Sequence, residues 1–154
     1  MNQLDHCTPS TVSGQRTIHL VDVDNLLGNP GTTDRQRIRT CLARYRARAG
    51  YTPGDHVIVA TGCNGRHVLE TELAWPAAVH RRRAGKDGAD LALLDDLDWV
   101  IASGRYTRVV IGSGDHAFAP SVDRLLAANI RVDIVSDTRR LCRQLATAAP
   151  CHAL

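Results

Sequence analysis

At 154 residues the chain has room for one compact domain with a full hydrophobic core, and not for two. Apolar residues at 44% and charged residues at 23% are ordinary globular values and exclude wholesale disorder. No apolar run approaches the roughly 20 residues that cross a bilayer, and the opening segment lacks a signal-peptide core, so a cytoplasmic protein without membrane contact is expected.

Five cysteines (Cys7, Cys41, Cys63, Cys142, Cys151) are scattered without a CxxC pair, which predicts reduced thiols rather than a disulfide framework or zinc ribbon. The formal charge of +3 is mildly basic, and Lys86 is the sole lysine beside 18 arginines. Arginine suits phosphate contact through its planar fork, so a nucleic-acid partner is permitted but not demanded.

In chain order, residues 1–16 carry no periodicity and read as a flexible tail, followed by a domain over 17–149 and a short tail at 150–154. Thr17 to Val23 is a nearly continuous apolar run, as in a central strand covered on both faces. Asn29-Pro30-Gly31 marks a loop, and Thr33 or Asp34 caps a helix to Ala49 with Ile38, Leu42, Tyr45 and Ala49 on one stripe. A second strand is expected at His56–Thr61, a helix at Arg66–Ala74 and a weaker third strand at Ala77–Arg82. A strong helix over Asp87–Ser103 is followed by a fourth strand at Arg108–Ser113. The last predicted elements are a helix near Phe118–Ala128, a fifth strand at Ile130–Ser136 and a helix at Thr138–Ala148. Strands alternating with helices imply right-handed βαβ units, hence an α/β fold with a mostly parallel sheet and helices on both faces.

Three acids fall where such folds bind ligands, beyond the carboxyl ends of the strands. Asp22 ends the first strand, and Asp115 follows the fourth in Gly112-Ser113-Gly114-Asp115. Asp90 projects from the first turn of its helix into the face carrying Leu93, Leu94, Leu97, Val100 and Ile101. Asp96 borders that face roughly 9 Å further along the axis at a 1.5 Å rise. Buried carboxylates need hydrogen bonds, a cation partner or a metal. Their convergence without matching lysines predicts a hard divalent cation, with Mg²⁺ suited to phosphodiester hydrolysis. Singly, each acid is better read as a helix cap or an arginine partner, and their joint arrival at one edge reverses that order.

The segments Leu20-Val21-Asp22-Val23-Asp24-Asn25-Leu26, Gly88-Ala89-Asp90-Leu91-Ala92-Leu93 and Val110-Ile111-Gly112-Ser113-Gly114-Asp115 resemble the three signature segments of NYN domains in the PIN-like nuclease superfamily, over about Thr17 to Ala148. The resemblance implies a three-layer α/β/α fold with a five-stranded sheet ordered 3-2-1-4-5. It also implies Mg²⁺- or Mn²⁺-dependent endoribonuclease activity. Carried over by position, Asp22, Asp90 and Asp115 are catalytic metal-site acids, Asn25 orients a water or an acid, and Asp96 is a further metal-site acid. Ser113, Arg81, Arg82 and Arg83 are the candidate substrate-binding residues, RNA is the expected partner, and a homodimer could help place it. The pattern departs at Ala117, where the family usually has a second acid, for which Asp24, His116 or Asp137 could substitute. That departure leaves two alternatives open. One is a weak or inactive RNA-binding or protein-interaction module. The other, from Asp22-Val23-Asp24, is a haloacid dehalogenase-like phosphatase, in which the first Asp attacks phosphorus and the second handles protons.

Overall fold

The structure, a computed structural model, describes residues 14–28, 30 and 33–154. The predicted tail over 1–13 and the loop positions 29 and 31 lie outside the described residues. Arg16, at the end of that expected tail, is tied in, because its N–H donates to Thr107 Oγ1 and its carbonyl accepts from the N–H of Thr107.

Strand β1 (Thr17–Asp22) is buried along its whole length, with the apolar Ile18, Leu20 and Val21 beside buried Thr17, His19 and Asp22. A short helix α1 (Val23–Leu27) follows directly, capped by the Asp22 carboxylate. Helix α2 (Arg35–Ala49) starts at Asp34, whose side chain accepts from the N–H of Arg37, and it buries Ile38, Leu42, Tyr45 and Ala49 as the spacing required. Then come β2 (His56–Gly62), α3 (Arg66–Ala74), β3 (Val79–Arg83) and α4 (Gly88–Ser103). After β4 (Arg108–Gly112), a single 3₁₀ turn (His116–Phe118) leads into α5 (Ala119–Ala127), then β5 (Arg131–Ser136) and α6 (Arg143–Ala148).

The chain then adds β6 (Cys151–Ala153), where a tail was expected. The sheet therefore has six strands in the order β3-β2-β1-β4-β5-β6, all pairings parallel, not the five predicted. Strand β6 is only three residues long, too short to show periodicity. It is held by the Ile134 N–H bond to the Pro150 carbonyl and by His152 Nε2 against Asp133, at 3.4 Å. The last helix is also shorter than expected. Asp137 folds residues 138–140 into a turn by accepting from the Arg139 N–H and both neighbouring guanidinium groups, so the helix begins only at Arg143, capped by Cys142.

Alternate residues of β1 feed two cores. Ile18 and Leu20 pack with Leu93, Leu97, Val100 and Phe118 on one face, whereas Val21 packs with Leu42, Tyr45 and Trp75 on the other. Chain direction across the sheet reverses beside β1: β2 and β3 add on one side, then β4 and β5 on the other. The ends of β1 and β4 thus flank the switch point, where a crevice opens in this class of fold.

A candidate metal centre at the switch point

Asp22 reaches this crevice because β1 carries it to the carboxyl edge. Its Oδ1 accepts from the Asn25 N–H at 3.0 Å and its Oδ2 from the Ser113 hydroxyl at 3.3 Å. Ser113 in turn accepts from the N–H of Asp115 at 3.2 Å, so one hydroxyl links two of the acids. Asn25 uses its side-chain carbonyl to accept from the Gly114 N–H at 3.0 Å. It therefore orients the loop after β4, a role different from the expected one toward a water or an acid.

That loop needs glycine at position 114. A Cβ there would stand 2.4 Å from the Arg140 carbonyl and 2.5 Å from Ser136 Oγ. Gly88 is required on the opposite wall, where a Cβ would stand 2.2 Å from the Arg83 carbonyl. This close approach brings the start of α4, with Asp90, against the end of β3. Asp87 precedes it at φ 58°, a left-handed conformation for a side-chain-bearing residue.

The pocket so formed is about 230 Å³ and is lined by Asp22, Asp24, Asp87, Asp90 and Asp115, with no arginine or lysine in its walls. Asp22 and Asp90 are both buried, at 2% and 8% exposure. Burial holds the Asp22 carboxyl well above its usual range, reinforced by a hydrogen bond and charge repulsion from Asp90 and opposed by the Asn25 N–H. Burial likewise raises Asp90. Its hydrogen bond with Asp22 pulls the other way, and the charges of Asp115, Asp87 and Asp24 push with burial. Burial and mutual repulsion thus act against full ionisation of both groups, as expected of adjacent buried carboxyls. Asp90 Oδ1 is buried without a hydrogen-bond partner.

Asp115 sits at the mouth, with its side chain 31% exposed. Its Oδ1 accepts from the Ala117 N–H at 2.8 Å and pairs with His116 Nδ1 at 3.2 Å, so the helix-cap role foreseen for it is realised. Asp24 is anchored away from the pair by the Gly62 N–H at 2.8 Å and His67 Nε2 at 3.1 Å. The partnership of Asp24 with His67 joins residues 43 apart and left no sequence signal. Asp87 was visible only as a helix start.

The remaining sequence candidates lie elsewhere. Asp96 receives Arg81 Nε and Nη2 at 3.0 and 3.1 Å and lines a different pocket with Trp99 and Tyr106. Asp137 faces arginines and is not in the acid pocket. The run Arg81-Arg82-Arg83 does not form one phosphate track, because strand alternation turns its members to opposite faces. Arg81 and Arg83 pair with Asp96 and Asp95 of α4, while Arg82 pairs with Glu72 of α3.

An all-oxygen donor set with an unpartnered buried oxygen fits a hard cation such as Mg²⁺ or Mn²⁺. Among the described residues, no group of three or more His, Cys, Asp or Glu stands ready-made to hold a metal ion. The fit is thus to an ion that takes one or two carboxylates and completes its shell with water and phosphate oxygens. Among the described residues, no helix is long and apolar enough to cross a membrane.

Comparison with known proteins adds the fold and nothing about the chemistry. No protein-family model matches the chain, and no curated protein matches it in sequence. Its architecture is similar to the crystal structure of a protein of unknown function from Vibrio parahaemolyticus, at a TM-score of 0.60 and 18% identity. That similarity covers 99% of this chain and 96% of the other, so the whole α/β arrangement is shared.

Proposed function

We propose that the protein is a PIN-like, metal-dependent endoribonuclease of the NYN type, acting at the pocket of Asp22, Asp90 and Asp115. The observation that carries this reading is the buried pair Asp22 and Asp90 in a pocket whose charged lining is all acidic. Two buried carboxyls with no cationic partner at a sheet switch point are costly to stability and are kept where a ligand repays them.

In this reading Asp22 and Asp90 would hold Mg²⁺ or Mn²⁺, with Asp115 at the mouth; when bound, the ion supplies an activated water and offsets the charge that builds on phosphorus. Ser113 and the Asn25 N–H fix the Asp22 carboxylate so that it does not swing toward solvent. Asn25 and Gly114 fix the loop that carries Asp115. Asp115, the most open of the three, receives the proton of the attacking water through Oδ2, since Oδ1 is committed to Ala117 and His116.

The non-catalytic alternative draws on Ala117. Its backbone caps onto Asp115, and its methyl group stands where the family pattern has a second acid. The phosphatase alternative has less support, because it needs Asp24 free to move protons while Gly62 and His67 occupy both of its oxygens. The discriminating experiment incubates labelled single-stranded and structured RNAs with the protein in Mg²⁺, Mn²⁺ or EDTA, beside Asp90→Asn. Metal-dependent cleavage that disappears in a folded Asp90→Asn protein supports the nuclease. Absence of cleavage in either metal sinks it in favour of the binding module.

A further inference from the structure

A second pocket of about 400 Å³ lies at the same carboxyl edge, on the far side of α1. Arg37, Arg44, Arg139 and Arg140 line it, against the carboxylates of Asp34 and Asp137. Both carboxylates are committed. Asp34 accepts from the Arg37 backbone N–H at 2.7 Å, and Asp137 accepts from the Arg139 backbone and from the Arg139 and Arg140 guanidinium groups. Four guanidinium groups thus face two side-chain carboxylates. Among the described residues Arg37 and Arg44 form no ion pair.

Two of the guanidinium groups are held in place by backbone. Arg37 Nη2 donates to the Leu27 carbonyl and Arg140 Nη1 to the Leu26 carbonyl, both at 3.3 Å, and these are the open carbonyls at the end of α1. Cys41 lies among Arg44, Arg37 and Arg140, but burial outweighs their charge and pushes its thiol up to about 11. The cluster therefore does not serve to make a thiolate. An arginine group with fixed forks, an excess of charge and room for a ligand has the chemistry of a phosphate site.

The pocket is joined to the acid site in two ways. Helix α1 runs from Asp22 at its cap to Leu27 at the arginines, a span of roughly 7–8 Å at a 1.5 Å rise. The Arg140 carbonyl also packs against Gly114, so the loop after β5 has the acid-site loop on one side and the arginines on the other.

We propose that this pocket binds a phosphate of the RNA strand, one or two nucleotides from the bond held at Asp22. The phosphate is either a terminal monoester or an internal diester. The proposal rests on the nuclease reading for the identity of the strand, and it supplies the basic contact that Arg81, Arg82 and Arg83, paired as they are, do not.

The test is fluorescence anisotropy of labelled single-stranded RNAs, hydroxyl-ended and phosphate-ended, across a salt series in EDTA. Wild type is compared with Arg44→Gln, the double variant Arg37→Gln/Arg44→Gln, and Arg48→Gln on the same helix but outside the pocket, each with a thermal melt. Losing the one phosphate contact in the double variant lowers the salt slope by about 0.7, and Arg48→Gln leaves it unchanged. A preference for phosphate-ended RNA that the double variant loses identifies a terminal monoester, whereas equal loss on both RNAs identifies an internal diester. A folded double variant with wild-type affinity and slope overturns the proposal, as does a wild type that shows no saturable binding. Because no metal is present, pocket-dependent binding by a protein that never cleaves RNA would reject the nuclease and leave the phosphate site standing.

Discussion

Replacing Asp22 by Asn separates a carboxyl kept for ligand binding from one kept for capping. The amide retains an oxygen for the Asn25 N–H, and the Ser113 hydroxyl can turn to accept rather than donate. The amide also brings N–H donors beside Asp90, whose Oδ1 is buried without a partner. A hydrogen bond to a charged group contributes roughly 1.5–3 kcal/mol. For a domain of this size, that raises the melting temperature by about 3–12 °C.

The gain depends on pH. Asp22 is held above its reference value of 3.8, so its contribution to stability is complete below pH 3.8 and is lost as pH rises through the folded-state value. The variant's advantage is therefore expected at pH 7 in EDTA and shrinks toward pH 3.8. With saturating Mn²⁺ the gap narrows, because a ligand at 100 times its Kd stabilises wild type by about 2.7 kcal/mol and the variant by less. Differential scanning fluorimetry over pH, with and without Mn²⁺, reads all of this. An Asp22→Asn protein less stable than wild type in EDTA at pH 7, and unmoved by Mn²⁺, would refute the reasoning and make Asp22 a helix cap alone.

Asp115→Asn keeps the cap on the Ala117 N–H, so its stability stays within about 0.5 kcal/mol of wild type, while metal-dependent RNA cleavage falls at least tenfold. Burial holds His19 below 6.5 against the pull of Asp55, with Arg108 adding to the depression, so the fold keeps a neutral ring bonded to Tyr45 and Asp55. Stability is complete above pH 6.5 and falls as pH drops below it, a slope that urea titrations should find and that His19→Gln should reduce. Asp133 is 1% exposed and receives Arg108 Nε at 2.7 Å, with Arg131 and His152 beside it. Asp133→Asn leaves the partly buried Arg108 without its partner and is expected to cost about 3–5 kcal/mol in chemical denaturation.

Wherever a local pattern carried the information, the fold was legible. β1 came from a short apolar run, and the stripe of α2 and the Leu93–Leu97–Val100 face of α4 from helical spacing. Asp90 could be found because a carboxylate interrupts an otherwise apolar helical face. What escaped depends on distant partners. Strand β6 is made by Pro150 and His152 meeting β5, and the late start of α6 by Asp137 gathering two arginines. Asp96 sat at the right helical angle but one sheet edge too low, where Arg81 claims it. The arginine pocket escaped because its members come from α2 and the loop after β5, about a hundred residues apart in sequence.

The central claim is that the Asp22–Asp90 pair is a metal site, and a crystal soaked in Mn²⁺ with anomalous data tests it directly. The account predicts an anomalous peak in coordination range of Asp90 Oδ1 and Asp22, completed by water, and no such peak in Asp90→Asn crystals. A wild-type crystal with no peak there, at Mn²⁺ concentrations that support cleavage in solution, would contradict it.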